Sequence, residues 1–367
     1  MRKIACLLLA AAAPALALAQ DIVVGQSAPL TGGNAELGND IRNGALAYFK
    51  KVNDAGGLPQ GKLKLVTLDD RNETKLSAEN TAKLVNEQNV VALFGYASST
   101  LSVPAMPTVL EHRVPFFAPF TGADTIRKQN DYVYTVRSTY SDEIQKIINF
   151  WGNLGSTKVT VLHYDDTVGK QNFETVATVL KKFDRQPVSV SIKRNADITE
   201  ANVKDVIASE PNVLVITTLY APAAQLIKKL KAAGRATMIT SLSFAGASQL
   251  AKALGPDAVG VSVSITVPTP RSNGVPVVKE CNDAWKAAGH AAALSVTALE
   301  SCIAAKVLVE GMKRSGKDLT RASLHKSLSA LGRYDAGGYI VDFKPNFRHG
   351  GSYVGMALLR PNGEVRD

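Results

Sequence analysis

Short runs of aliphatic and β-branched residues alternate with amphipathic segments along nearly the whole chain after residue 20. In the segment from Asp40 to Ala55, apolar side chains recur every three or four positions, and the pattern ends at Gly56-Gly57. Such a segment is typical of a helix with a glycine stop. The apolar runs on either side are short enough to be buried strands. Strands and helices that alternate in this way predict βαβ units and parallel sheets.

The predicted strands form two series that are separated near Tyr132–Ser141, and each series has the size of one doubly wound lobe. The strands of the first series are Ile22–Gly25, Leu63–Leu68, Val90–Phe94 and Pro115–Ala118. Those of the second are Val159–Leu162, Val188–Ile192, Val213–Thr217, Met238–Thr240 and Val259–Val267. The helices predicted between them include Lys75–Glu87, Leu101–His112, Phe173–Phe183 and Ala223–Ala233.

The remainder of the chain, from Val275 onward, is mostly helical in pattern and ends in two strand-like pieces, Tyr339–Phe343 and Tyr353–Leu359. We expect this helical segment to pack back onto one lobe. No linker rich in Pro, Gly or Ser separates the two series. We therefore expect an α/β protein of two lobes that face each other across a cleft, a favoured place for small ligands.

The first nineteen residues have the pattern of a secretory signal peptide. A basic start, Met1-Arg2-Lys3, precedes an apolar stretch from Ile4 to Ala19 that ends in Ala17-Leu18-Ala19. A structural helix is disfavoured because Pro14 interrupts the stretch, and Cys6 lies at its front rather than at its end, where a lipoprotein signal needs it. We expect cleavage between Ala19 and Gln20 and export from the cytoplasm.

Composition and charge exclude several classes of protein. Hydrophobic residues make up 46% of the 367 positions and charged residues 20%, which is too apolar for a disordered chain. The formal net charge of +10 comes from Lys and Arg residues that are scattered, and aromatic residues are only 6%. These values do not support a nucleic-acid groove and indicate only a mild preference for anionic ligands. No later apolar run is long enough to span a membrane.

No pattern typical of an enzyme or a metal site is present in the sequence. The five histidines show neither H-E-x-x-H spacing nor a cysteine partner at metal spacing, so we expect no metal and no cofactor. The adjacent carboxylates Asp69-Asp70 and Asp165-Asp166 point to opposite faces of a strand and cannot share one reaction. An exported α/β hydrolase remains a minor alternative, because Ser98-Ser99 ends a strand where a nucleophile could lie, although G-x-S-x-G is absent.

Polar residues follow several predicted strands at their carboxyl ends. In the first series these are Ser98-Ser99-Thr100 and Phe120-Thr121-Gly122, and in the second they are Leu219-Tyr220 and Ser241–Phe244. Doubly wound sheets bind ligands at these ends, where free backbone N–H groups and hydroxyls can hold an anion. Ser99 and Thr121 could therefore receive a carboxylate. The structural alternative is that Ser98–Thr100 only caps a helix.

The opening segment, Ile22-Val-Val-Gly-Gln-Ser-Ala-Pro-Leu-Thr-Gly32 followed by Asn53-Asp54-Ala55-Gly56-Gly57, resembles the leucine/isoleucine/valine-binding proteins. Leu68-Asp69-Asp70, Phe94-Gly95 and His163-Tyr164-Asp165-Asp166 continue the resemblance over essentially the whole mature chain. These are periplasmic receptors of ABC importers, with two doubly wound parallel-sheet lobes joined by three hinge crossings. The resemblance implies a first lobe of residues 21–138 and 264–338 and a second of 139–263 and 339–367.

The resemblance also implies which residues line the ligand site. Ser99, beside Ser98, matches the family serine that takes the carboxylate, Phe120 offers its backbone amide, and Thr121-Gly122 covers the family threonine. The tyrosine that accepts from the ligand ammonium matches Leu219 or Tyr220, and of these two Tyr220 can take its role. Leu37 and Val168 stand where relatives place aromatic residues. A family acid for the ammonium falls at Ser243, which carries no charge.

An unpaired buried ammonium is costly, so the serine at 243 favours a carboxylate ligand without an amino group, such as an aromatic or aliphatic acid, or an amide. Branched-chain amino acids stay open, because Glu36 or Asp166 could supply the acid from another loop. The sequence thus predicts a non-enzymatic, monomeric solute-binding protein that closes on its ligand and presents it to an ABC permease. A sensing receptor without a transport role is the alternative.

Cys281 and Cys302 lie in two successive predicted helices on either side of a turn near Gly289. In an antiparallel pair of helices they can be neighbours. Export to an oxidising compartment favours a disulfide, and two buried thiols are the other outcome. The bridge usual in the resembling family would fall at Asn72 and Ser98 and is therefore absent.

Overall fold

The computed structural model describes residues 21–127, 131–344 and 347–367, so the predicted signal peptide and its cleavage site lie outside the described residues. The strands in chain order are β1 (Ile22–Ala28), β2 (Leu63–Asp69), β3 (Ala92–Phe94), β4 (Phe116–Phe117), β5 (Val133–Tyr134), β6 (Val159–Tyr164), β7 (Val188–Ile192), β8 (Val213–Thr217), β9 (Met238–Ser241), β10 (Val261–Ile265), β11 (Gly332–Asp335), β12 (Ile340–Phe343), β13 (Gly355–Leu359) and β14 (Val365–Arg366).

The helices alternate with these strands as the hydrophobic pattern predicts. They are α1 (Ala35–Asp54), α2 (Thr74–Asn86), α3 (Ser99–Ser102), α4 (Met106–Glu111), α5 (Asp124–Arg127), α6 (Tyr140–Asn153), α7 (Thr167–Leu180), α8 (Glu200–Ser209), α9 (Tyr220–Ala232), α10 (Ala247–Leu254), α11 (Pro276–Ala287), α12 (Val296–Arg314) and α13 (Arg321–Ser329).

Two sheets divide the described residues into two α/β lobes. The sheet of the first lobe has the order β2-β1-β3-β4-β5, and its strands are all parallel. The sheet of the second lobe has the order β14-β13-β10-β9-β8-β6-β7 and is parallel from β10 to β7, with β13 and β14 added antiparallel at one edge. The predicted doubly wound fold with two lobes is confirmed.

The chain crosses between the lobes at residues 135–139 and 266–275, and a third time between the end of β12 and the start of β13. The expected boundary at 263/264 falls inside β10, because that strand runs on to Ile265 within the second sheet. The expected boundary at 338/339 falls between the two strands of the β11–β12 ribbon. Phe343 of this ribbon packs edge-on against Phe117 and Tyr134 of the first lobe, so the last crossing begins after Phe343.

The helical segment near the carboxyl end packs onto the first lobe, chiefly through α12 and α1. The two backbones approach so closely that a Cβ at Gly44 of α1 would lie 2.1 Å from the carbonyl oxygen of Ala298. Only glycine permits this approach. A disulfide joins Cys281 of α11 to Cys302 of α12. Of the two outcomes that the sequence left open, a disulfide or two buried thiols, the structure has the disulfide.

The predicted helix Leu101–His112 is broken into shorter pieces. The structure has α3, then a single 3-10 turn over Val103–Ala105, then α4. The cause is Pro104 and Pro107, which cannot donate the backbone hydrogen bonds that a continuous helix requires. Ser98 therefore caps, and Ser99 begins, a short helical turn rather than a long helix.

Candidate functional site

A cavity of about 430 Å³ lies between the lobes, where the loop after β4 faces α6 and α7. Gly122 lines it from the first lobe, and Tyr140, Val168 and Asn172 line it from the second. Its volume lies within the range of small-molecule sites. Two of the residues expected at the site, Gly122 and Val168, therefore face the same space.

Ser98 and Ser99 differ in what their hydroxyls do. The Ser98 hydroxyl accepts the backbone N–H of Leu101 at 3.3 Å and so caps α3. The Ser99 side chain is 4% exposed, and its hydroxyl bonds no group among the described residues. The capping role that the sequence left open for the whole Ser98–Thr100 segment thus belongs to Ser98. Ser99 is not among the residues that line the cavity of about 430 Å³.

Phe120, Thr121 and Gly122 occupy the loop after β4, as expected, but they contact other parts of the protein. The Thr121 hydroxyl accepts the backbone N–H of Ala123 at 3.1 Å. The carbonyl of Gly122 accepts the Tyr140 backbone N–H at 3.0 Å. Tyr140 belongs to α6 of the second lobe, so this loop is part of the contact between the lobes as well as a wall of the cavity.

Tyr220 and Leu37 lie where the lobes touch. The Tyr220 hydroxyl donates to the carbonyl oxygen of Gly33 in the first lobe at 2.6 Å. Burial raises the pKa of Tyr220 to about 12, so the hydroxyl keeps its proton and remains a donor. Leu37, fully buried on α1, lies against Gly246 of the second lobe. The two side chains thus contact the opposite lobe in this closed arrangement.

Ser243 lies at the centre of a buried ionic cluster formed by Arg137, Glu143 and Glu300. Its backbone N–H and its hydroxyl donate to the Glu143 carboxylate at 2.9 and 2.8 Å, and Arg137 donates to the Ser243 hydroxyl. Arg137 also pairs with Glu143 at 3.6 Å and with Glu300 at 3.4 Å. An acid that the sequence did not indicate, Glu143, therefore lies directly behind Ser243 and is bonded to it.

The ionic cluster spans the hinge, because each of its charges belongs to a different part of the fold. Arg137 lies in the first crossing, Glu143 on α6 of the second lobe and Glu300 on α12 of the first lobe. Burial raises the pKa of Glu300. Burial alone would lower the pKa of Arg137, but the two carboxylates raise it, so the guanidinium stays charged. The cluster fixes Ser243 in position through interactions that reach both lobes.

Arg194 marks the side of the cleft formed by the ends of β6 and β7. Its guanidinium stacks on the Tyr164 ring at 4.1 Å and donates one hydrogen bond of 2.7 Å to Asp166. The next residue, Asn195, accepts a hydrogen bond of 2.7 Å from the side chain of Asn72 in the first lobe. Arg194 therefore lies at the boundary between the lobes.

The sequence did not single out Tyr140, Glu143, Asn172 or Arg194. Each lies in a helix or loop whose local pattern is ordinary for a surface segment, and only the folded chain brings them to the cleft. The one available signal was position, because Arg194 lies two residues after the end of β7 and the recognised polar residues also lie near strand ends.

The described part of the chain contains no group of three or more His, Cys, Asp or Glu side chains arranged to hold a metal ion. None of the helices within it combines the length and the hydrophobicity needed to cross a bilayer.

Comparison with known proteins gives a consistent result. A family model described as periplasmic binding protein matches residues 21–363. An amino acid binding protein of Pseudomonas aeruginosa is 26% identical over 58% of this chain, and the match spans 58% of that protein's length. The crystal structure of a substrate-binding periplasmic protein from Ralstonia solanacearum is 30% identical, with a TM-score of 0.89 over 94% of this chain and 99% of that one. The crystal structure of a possible leucine/isoleucine/valine-binding protein from Rhodopirellula baltica is 27% identical, with a TM-score of 0.90 over 95% of this chain and 96% of that one.

Proposed function

This chain belongs to the periplasmic binding protein family, and from that premise we propose that it binds a small carboxylate-bearing solute between its lobes and delivers it to an ABC permease. The ligand classes we propose are aromatic or aliphatic acids, amides and amino acids of the branched-chain type. Cleavage after Ala19, a monomeric state and the permease as partner belong to the same proposal.

The observation that carries this proposal is the Ser99 hydroxyl. The Ser99 residue is 4% exposed, and its hydroxyl has no hydrogen-bond partner among the described residues. A ligand carboxylate would accept this hydrogen bond in a charge-assisted form. The backbone of the loop from Phe120 to Gly122, at the neighbouring strand end, supports the same placement for the carboxylate.

Closure of the two lobes supports a mechanism in which the ligand is enclosed. Tyr220 bonds Gly33 at 2.6 Å, and Asn72 bonds Asn195 at 2.7 Å, so hydrogen bonds between the lobes form on separate sides of the cleft. A ligand that contacts both lobes would stabilise this closed arrangement over an open one by its differential affinity for the two.

The ionic cluster favours acids over amino acids. Glu143 accepts hydrogen bonds from the backbone and the hydroxyl of Ser243 and from the hydroxyl of Ser264, and it also pairs with Arg137. These contacts occupy the acceptor positions of the carboxylate. A ligand ammonium near Ser243 would therefore find a carboxylate that is already neutralised.

Isothermal titration calorimetry with hexanoate, benzoate, benzamide and leucine tests the proposal. We expect the acids to bind and the Ser99→Ala variant to bind the best of them about 10-fold more weakly, the effect of losing one hydrogen bond to a charged group. Ser323→Ala is the matched control, since Ser323 lies in the first turn of α13. Equal affinities for wild type and Ser99→Ala would place the carboxylate elsewhere, and binding of leucine alone would contradict the preference for acids.

A further inference from the structure

Arg194 has more hydrogen-bonding capacity than the protein uses. Its Nη2 donates to Asp166, but its Nε and Nη1 atoms are buried and have no acceptor among the described residues. A guanidinium stays charged at any physiological pH and has five N–H donors. An arginine with a purely structural role on a surface would leave its remaining donors in water, whereas these two nitrogens are shielded from it.

The side chain is held in one orientation by its neighbours. The Tyr164 ring lies beneath the guanidinium at 4.1 Å, and the Tyr164 hydroxyl is itself fixed as the acceptor of the Leu219 backbone N–H at 3.2 Å. Asp166 anchors one end through Nη2. The same Asp166 accepts the Gly169 N–H at 2.8 Å and caps α7, the helix that forms one wall of the cavity between the lobes. The guanidinium of Arg194 is therefore held in place next to the N-cap of α7.

A second donor on this wall also has no partner. Asn172 of α7 is 4% exposed, lines the cavity, and its side-chain nitrogen bonds no acceptor among the described residues. Asn172 lines the cavity between the lobes, and Asn195, next to Arg194, bonds Asn72 of the first lobe, so both donors of the second lobe lie near its boundary with the lobe that carries Ser99. Two donor sets on opposite lobes match a ligand with an acceptor group at each end.

We propose that Arg194 receives a second anionic group of the ligand, so that the solute is a small dicarboxylate held between Ser99 on the first lobe and Arg194 on the second. This inference rests on the proposed function, since it assigns the substrate class of the same cleft. Arginine suits the role because its planar fork forms directed hydrogen bonds to a carboxylate. Asp166 does not compete with the ligand for the free Nε and Nη1 donors of Arg194, because its two oxygens already accept hydrogen bonds from the Gly169 N–H and from Nη2.

Paired acids of equal chain length provide the test, namely adipate against hexanoate and succinate against butyrate, titrated by calorimetry. For one of the pairs we expect the wild type to bind the dicarboxylate at least 10-fold more tightly than the monocarboxylate. Arg194→Gln should reduce this ratio to about one while leaving the affinity for the monocarboxylate unchanged. Arg185→Gln, an exposed arginine of the same lobe, is the control and should keep the ratio of the wild type.

Arg194→Lys keeps the charge without the fork and is expected to give an intermediate ratio. It also replaces Arg194→Gln if thermal melting shows that variant to be unfolded. Equal wild-type affinities for the two acids of both pairs, or an equal loss for both acids in Arg194→Gln, would overturn the proposal. A ligand whose binding depends on Ser99 but not on Arg194 contradicts this inference alone, whereas acid binding that does not depend on Ser99 contradicts the proposed function.

Discussion

The Tyr220 hydroxyl on the second lobe donates a 2.6 Å hydrogen bond to the carbonyl oxygen of Gly33 on the first lobe. Since this bond forms only when the lobes are closed, we expect Tyr220→Phe to weaken ligand binding by about 2- to 10-fold, the value of one neutral hydrogen bond. Calorimetric titration measures the effect. Tyr48→Phe is the control, because the Tyr48 hydroxyl bonds no described residue. An affinity equal to that of the wild type would show that this contact does not contribute to closure.

The two neighbouring serines at the end of β3 should separate stability from binding. Ser98→Ala removes the cap of α3 and is expected to lower the free energy of unfolding by about 1 kcal/mol without changing ligand affinity. Ser99→Ala should weaken ligand binding and leave the free energy of unfolding unchanged. Urea unfolding and calorimetric titration of both variants measure the two effects. The assignment of roles would be wrong if Ser98→Ala proved the weaker binder of the two.

Arg137 holds together the ionic cluster at the hinge. Replacing it by leucine leaves Glu143 and Glu300 buried without their cation, and breaking such a pair typically costs about 3–5 kcal/mol. We therefore expect a loss of this size in urea unfolding of Arg137→Leu. In Arg271→Leu, which removes an exposed pair with Glu364, the loss should stay below about 1 kcal/mol. Similar small losses of unfolding free energy in both variants would contradict the conclusion that Arg137 neutralises two buried carboxylates.

The adjacent carboxyls Asp69 and Asp70 should affect stability with opposite dependence on pH. Burial raises the pKa of Asp70 from 3.8 to about 6, although hydrogen bonds from Ser27 and Asn72 oppose the shift. Between these values the folded state binds more protons than the unfolded state, so this contribution makes stability fall as the pH rises. For Asp69, burial raises the pKa, but hydrogen bonds from Thr31 and from backbone N–H groups outweigh it and lower the pKa overall.

Asp69 therefore contributes stability that is present above its unfolded pKa and is lost as the pH falls through the folded value. Urea unfolding from pH 3 to 7 measures both effects. Asp70→Asn should remove the decline between pH 3.8 and about 6, and Asp69→Asn should reduce the loss at the acid end. Curves that change in the same direction in both variants would contradict these assignments.

The disulfide between Cys281 and Cys302 closes a loop with a sequence separation of 21. Loss of a bridge of this span is expected to lower the free energy of unfolding by about 3 kcal/mol. The double variant Cys281→Ala/Cys302→Ala, unfolded in urea beside the oxidised wild type, measures this loss. Ligand affinity should not change, because neither cysteine lines the cavity between the lobes. A weaker ligand affinity in the double variant would connect the bridge to the site.

The alternation of hydrophobic runs was sufficient to predict the two-lobed α/β fold, because burial of one helix face or one strand is a local requirement that leaves a periodic trace. The boundaries of helices were less well predicted where proline removes a backbone hydrogen-bond donor, as in the segment after Ser102. The short strands β5 and β14 were missed, since pieces of two residues carry no period.

The site was predictable as far as the ends of strands could be recognised. This was enough to place Ser99, Thr121, Tyr220 and Ser243 at the edges of the two sheets that face the cleft. It did not separate Ser98 from Ser99, because the choice depends on which hydroxyl is turned towards the Leu101 N–H. It also showed that position 243 carries no acid, but it did not identify Glu143, which lies 100 positions earlier in the chain and bonds Ser243.

The sequence by itself determined the family, the order of the elements and the polar residues at the strand ends, since each of these is encoded in local pattern or motif. Only the tertiary structure decided which of those residues are already satisfied by protein partners and which remain free. Ser98 and Asp166 are satisfied in this way, whereas Ser99, Asn172 and Arg194 keep donors without a partner among the described residues. That difference arises from contacts between segments far apart in the chain, and hydrogen bonding and burial at such contacts leave no periodic trace in the sequence.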